Sequence, residues 1–144
     1  MIKQLSKIAL PILIIAILYL LITQNLLSAS PFVIAAQLLA IALAVWARRT
    51  FQAGQFNIAA EPKDGPLMSN GPYQFIRHPM YTAALMLIWS GVLSHWSLIT
   101  AGIGLIVTAE VFIRVIVEEE FLRARFLDYA AYARKTKRII PFVL

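Results

Sequence analysis

The chain contains no cysteine, which excludes disulfides, a thiolate nucleophile and any metal site built on sulfur. Charge is scarce too: 14% of its 144 residues are Asp, Glu, Lys or Arg, while 60% are hydrophobic. A soluble domain of this length has too little interior to hide so much apolar side chain, so lipid must cover the remainder. No strand, Gly-rich turn and helix follow one another, so a Rossmann-type nucleotide site is absent. Gly102 and Gly104 lie inside an apolar run and read as helix-packing positions. Repeats, low-complexity segments and charge blocks are missing as well, and one domain is expected over residues 1–144.

What is present is four apolar stretches. A span needs roughly 20 mostly apolar residues, and Ile8 to Leu27 supplies that length without a charge. The others run over about 31–47, 81–94 and 98–117, which predicts an all-α integral membrane protein with four transmembrane helices. A signal peptide is the rival reading of the first stretch, since Lys3 and Lys7 precede it and Ser28, Ala29 and Ser30 resemble a cleavage site. The run exceeds the roughly 7 to 15 residues of a signal core, and further apolar segments follow, so the segment is expected to be retained.

The thirteen Lys and Arg residues fall at the N-terminal end (Lys3, Lys7), after the second stretch (Arg48, Arg49, Lys63, Arg77) and from Arg114 to Arg138. The short connections between stretches one and two, and around His95, carry none. By the positive-inside rule both termini and the central loop face the cytoplasm. The formal charge of +6 is then explained by anionic lipid head groups, and no nucleic-acid partner is expected.

The long connection, residues 50–80, is rich in Gly, Pro and Asn and is the natural seat of function. The fourth stretch breaks its apolar pattern at Glu110 and Arg114 before reaching Glu118, Glu119 and Glu120. Glu110, Arg114 and Glu118 are spaced by four and form a ladder of alternating sign on one helix face. Ionisable groups at such depth pair with one another or line a polar cavity. Beyond them Leu122, Phe126, Tyr129 and Tyr132 make an apolar stripe, which predicts an amphipathic C-terminal helix over 118–135.

The segment Gly71-Pro72-Tyr73-Gln74-Phe75-Ile76-Arg77-His78-Pro79-Met80-Tyr81 places Arg, His and two Tyr where the third helix begins. Pro79 suits a first helical turn, and His78 and Arg77 beside its free N–H groups suit a carboxylate. Because helices three and four form a hairpin, His78 and Glu118 meet at one membrane face. Cationic groups opposite carboxylates suit a zwitterion that carries an amino and a carboxylate group.

This pattern, Gly-Pro-Tyr-x-x-x-Arg-His-Pro-x-Tyr followed by Glu-Glu at a helix end, resembles the isoprenylcysteine carboxyl methyltransferase and phospholipid methyltransferase family over roughly residues 45 to 142. The resemblance implies a small prokaryotic-type enzyme of the inner membrane that uses S-adenosylmethionine. It implies cofactor contacts from His78, Pro79, Tyr81, Glu118 and Glu119, together with Tyr73 and Arg77 of the same motif. Backbone at Leu67 and Met68 would hold the adenine, and Tyr129 and Tyr132 match a later Tyr-x-x-Tyr. Leu127 stands where the family has Gly, and Phe126 is one residue closer to Tyr129 than usual. Glu118 with Glu119 is the preferred register, and Glu119 with Glu120 stays open.

On this reading Glu118 and Glu119 steady the cofactor's amino group and His78 its carboxylate. Arg114 or Arg138 meets an anionic part of the substrate, with Glu110 a further candidate on the same helix and no metal expected. The acceptor is a lipophilic or membrane-associated small molecule; its identity and the oligomeric state stay open. Two other classes compete: an NADPH-dependent membrane reductase, because sterol reductases resemble the same His-Pro-x-Tyr region, and a non-enzymatic small membrane protein.

Overall fold

The computed structural model describes residues 2–51 and 65–140, and side chains from Leu10 onward. Within the described residues the chain is all-helical: α1 (Ile2–Ile22), α2 (Pro31–Thr50), a 3₁₀ turn (Gly71–Gln74), α3 (Pro79–Ser94), α4 (Leu98–Arg125) and α5 (Tyr129–Lys135). Residues 52–64 of the expected site loop lie outside the described residues.

Helix starts follow local chemistry. Pro31 and Pro79 occupy first-turn positions, where a missing N–H costs no helical bond. Ser97 and Thr100 cap each other reciprocally at the head of α4: the Ser97 hydroxyl accepts from the Thr100 N–H at 3.1 Å, and the Ser97 N–H donates to the Thr100 hydroxyl at 2.9 Å.

Helix ends depart from the sequence expectation. The first helix stops at Ile22 although apolar residues continue to Leu27. There the Asn25 and Leu26 N–H groups both return to the Leu20 carbonyl, at 2.7 and 3.1 Å, around Gln24 at φ 56°. Apolarity keeps a segment in lipid, but it does not decide where helical hydrogen bonding ends. At the other extreme α4 continues past its apolar part to Arg125, because Glu, Leu, Ala and Arg are good helix formers. The single amphipathic helix expected over 118–135 is therefore two: the last turns of α4, a break at 126–128 where Phe126 turns extended (φ −111°, ψ 115°), and α5.

The helices pack in the spatial order α1, α4, α3, α2, with α1 chiefly along α4 and α2 along α3. Ala16 and Leu20 of α1, Ile88 and Val92 of α3, and Val107, Val111 and Val115 of α4 form the core. The α1–α2 turn rests on the far end of α3: a Cβ on Gly91 would stand 2.8 Å from the Leu26 carbonyl, and Gln37 of α2 donates to that same carbonyl at 2.7 Å. Both short connections thus share one end of the bundle. The 3₁₀ turn and α5 lie at the other.

Among the described residues two helices, α2 and α4, are long and apolar enough to cross a membrane; the described apolar stretches Leu10–Ile22 of α1 and Pro79–Ser94 are shorter. Only 17% of the α2 span and 33% of the α4 span are buried inside the fold. A core helix of a soluble protein would be mostly covered, whereas here Phe32, Leu38, Leu39, Leu105, Ile106 and Ile116 face outward. This is a membrane protein by composition and by the placement of its apolar surface.

Candidate active site at the mouth of the α3–α4 hairpin

The 3₁₀ turn leads the chain from the loop into α3. Gly71 sits at φ +57°, and a Cβ there would come within 2.5 Å of the Thr50 hydroxyl, so only glycine fits this junction. The next residues pair with the C-terminal segment in a short parallel bridge, Ile76 beside Lys137. The Arg77 N–H donates to the Lys137 carbonyl at 2.7 Å and the His78 N–H to the Arg138 carbonyl at 3.0 Å, while the Lys137 N–H returns to Phe75 at 3.1 Å. One turn into α3 the Thr82 hydroxyl donates to the Ile139 carbonyl at 2.7 Å. Residues about 60 positions apart thereby fix the backbone that presents Arg77 and His78.

Facing them, α4 offers two adjacent carboxylates that serve different partners. Glu119 is 3% exposed and lies among three arginines, Arg77 Nε at 2.8 Å, Arg138 Nη2 at 3.2 Å and Arg123 Nη2 at 3.6 Å, with the His78 imidazole Nε2 at 3.5 Å. Glu118 keeps 30% of its side chain exposed. Its Oε2 accepts from the Tyr81 hydroxyl at 2.8 Å and stands 3.9 Å from His78 Nδ1. Successive helical residues diverge by about 100°, and the His78 ring bridges that divergence with one nitrogen toward each carboxylate. Glu120 points outward and is exposed.

Arg114 is buried and its Nε donates to the Tyr81 hydroxyl at 2.6 Å, with the guanidinium 5.8 Å from the Tyr81 ring centroid. The alternating ladder expected along α4 therefore passes from Arg114 to Glu118 through a phenol from α3. Glu110 stands two turns deeper, its Oε2 buried and without a hydrogen-bond partner. The structure does not bring it to the mouth.

Arg77 is more fully engaged than the sequence suggested. Besides Glu119, its Nη1 donates to the carbonyls of Ala133 at 2.8 Å and Thr136 at 2.6 Å. Arg77 and His78, expected to hold a ligand's carboxylate, hold the protein's own. Arg123 was missed, although its position four residues after Glu119 was a readable signal. Thr136 and Ala133 act through backbone carbonyls, which leave no trace in sequence.

Aromatic rings close one side. The Tyr132 hydroxyl donates to the Tyr73 carbonyl at 2.7 Å, Tyr73 meets Phe51 edge-on, and Tyr129 is fully buried with its hydroxyl unpartnered. Burial pushes the hydroxyls of Tyr73 and Tyr129 far above the ordinary tyrosine range, with the Glu118 and Glu119 charges adding respectively. Burial also raises Tyr132, to about 12, against the lowering effect of Arg77. All three remain protonated donors at neutral pH, so none is a phenolate base. Leu67 and Met68 are half-buried in the irregular segment before the 3₁₀ turn. Among the described residues no group of His, Asp or Glu could hold a metal ion.

A carboxylate with free surface beside surplus arginines, built at the joint of two membrane helices, is the geometry against which known proteins can be compared. The sequence model of the phospholipid methyltransferase family matches residues 26–128, from the α1–α2 turn to the break after α4. The chain belongs to that family. Tyr73, Arg77, His78, Tyr81, Arg114, Glu118 and Glu119 all fall inside the matched region, whereas α5 and the paired segment at Lys137 follow it. This phospholipid methyltransferase family member is also similar to the cobalt-zinc-cadmium resistance protein CzcN of Cupriavidus metallidurans, 30% identical over 80 residues. That alignment takes in 55% of this chain but only 37% of the relative, so the chain spans little more than a third of that protein's length. No solved structure matches.

Proposed function

We propose that this protein is an integral membrane methyltransferase that uses S-adenosylmethionine to methylate a lipophilic or membrane-associated small substrate, in the manner of isoprenylcysteine carboxyl methyltransferases. In this reading all four long helices cross the inner membrane of a prokaryotic cell, with both termini and the central loop cytoplasmic. Membership of a methyltransferase family supports the class. The observation that carries the site is the division between two neighbouring carboxylates: Glu119 is saturated by cations, while Glu118 keeps open surface.

The residues suit the amino acid portion of the cofactor. An ammonium group requires a carboxylate with free lone pairs, which Glu118 offers, and a carboxylate requires a reachable cation, which the half-exposed Arg138 offers. His78, turned toward the two glutamates, orients them. Tyr73, Tyr129 and Tyr132 line the side toward α5, with Leu67 and Met68 at the loop edge for the adenine. When bound, S-adenosylmethionine would supply an electrophilic methyl group on a sulfonium, whose sulfur would depart as the neutral thioether when the methyl passes to the acceptor.

The protein contributes alignment and exclusion of water rather than covalent chemistry. Tyr81, held by Arg114, fixes the carboxylate of Glu118. Arg114 and Arg138 set a positive potential that favours an acceptor carrying negative charge.

Calorimetric titration of the detergent-purified protein with S-adenosylhomocysteine and, separately, with NADPH tests this reading. Micromolar binding of the first ligand, about −8 kcal/mol, weakened by Glu118→Gln, is the expected result. Binding of NADPH alone would place the protein among reductases, and binding of neither to folded protein would remove the enzymatic reading.

A further inference from the structure

We infer that the outer side of the C-terminal segment is a docking surface for anionic lipid, and that this contact holds the mouth of the site in its paired form. The inference rests on the site reading above, since it concerns how that site is kept assembled.

Thr136 and Ile139 are buried, Lys137 is exposed, and Arg138 turns to Glu119. The inner side of the segment is the part already described: its backbone pairs with Phe75, Arg77 and His78, and Ile139 joins the core. The outer side carries Lys137, and the last turn of α5 adds Arg134 and Lys135, all three exposed. None of these three forms an ion pair with a described carboxylate. The chain's acidic residues number only seven against thirteen basic ones, and the buried Glu119 is already engaged by Arg77 and Arg138.

Beside this basic group stands apolar surface that no described residue covers. Leu127, in the break between α4 and α5, is fully exposed, and Phe75 and Ile140 on the two paired segments are about half exposed. A basic group with adjacent apolar side chains is the combination that binds the interface of an anionic bilayer: cations meet lipid phosphates and the apolar residues enter the acyl boundary. The end of the molecule that bears them is also the end where α2 finishes in Arg48 and Arg49.

The paired segment is held to residues 75–78 by three backbone hydrogen bonds, and side chains of Arg77 and Thr82 add one each to the carbonyls of Thr136 and Ile139. Each outward cation attracted to the surface adds to their stability, so lipid charge shifts the equilibrium between paired and released segment. Backbone amide exchange reads that equilibrium directly, because the N–H groups of Arg77, His78 and Lys137 are the ones the pairing protects.

The test uses the full chain in two nanodiscs, one of phosphatidylcholine alone and one of equal parts phosphatidylcholine and phosphatidylglycerol. Exchange at Arg77, His78 and Lys137 is expected to be roughly tenfold slower in the anionic disc, an effect that added salt diminishes. Neutralising the surface with Arg134→Gln, Lys135→Gln and Lys137→Gln together should remove the difference between discs, and replacement by Glu at the same positions should reverse it. Equal exchange in both discs, or a difference that survives neutralisation, would overturn the proposal. S-adenosylhomocysteine affinity in the same discs separates the two readings. A lipid effect on exchange without any binding of that ligand would leave the docking surface standing and refute the methyltransferase site.

Discussion

Glu118 and Glu119 are covalent neighbours with opposite circumstances, and substitution should separate them. Glu119→Gln removes the charge that neutralises the buried Arg77, and breaking one side of such a pair costs about 3–5 kcal/mol. Thermal unfolding in detergent should show a clear loss of stability. Glu118 has 30% of its side chain exposed, so Glu118→Gln should leave the melting temperature nearly unchanged while weakening S-adenosylhomocysteine about tenfold or more. If both variants melt early and bind alike, the division of roles is wrong. Tyr81→Phe removes the hydroxyl between Arg114 and Glu118, and it should lower affinity for that ligand while the Arg77–Glu119 pair keeps the fold intact. At this scale the sequence was informative where spacing along a helix or across a hairpin decides the outcome, as for His78, Tyr81 and Glu118. It was silent where backbone carbonyls decide it. Arg77 looked free to hold a ligand because Ala133 and Thr136 meet it through atoms every residue possesses.

Among the helices, contact with the α1–α2 turn makes α3 intolerant of bulk at one point. Gly91→Ala would drive a Cβ against the Leu26 backbone, and overpacking of this kind costs about 1–3 kcal/mol. Gly102→Ala in α4 meets nothing within 4 Å and should leave stability unchanged or slightly raised, since alanine favours helix. Paired thermal melts of the two variants check this directly. Both positions are glycines in apolar runs, and no property of the sequence separates them. The four apolar stretches were legible as helices because composition and length suffice for that. Their ends were not. The turn after Ile22 and the break at Phe126 are set by local hydrogen bonds and by packing of the segments that follow.

For the molecule as a whole, the proposed orientation is open to a clean test because the natural chain has no cysteine. A membrane-impermeant maleimide should label Ser94→Cys from outside intact cells and Lys135→Cys only after the membrane is opened. The converse pattern would invert the topology. The order in which the helices pack also governs how the bundle comes into being. Since α1 lies along α4, a helix made early meets its main partner only when the last long helix has been made. In the interval the face bearing Ala16 and Leu20 has lipid alone for company, while α2 and α3 can already associate. On the proposed four-helix arrangement, closure of this bundle therefore awaits an encounter between α1 and α4, which are far apart in the order of synthesis.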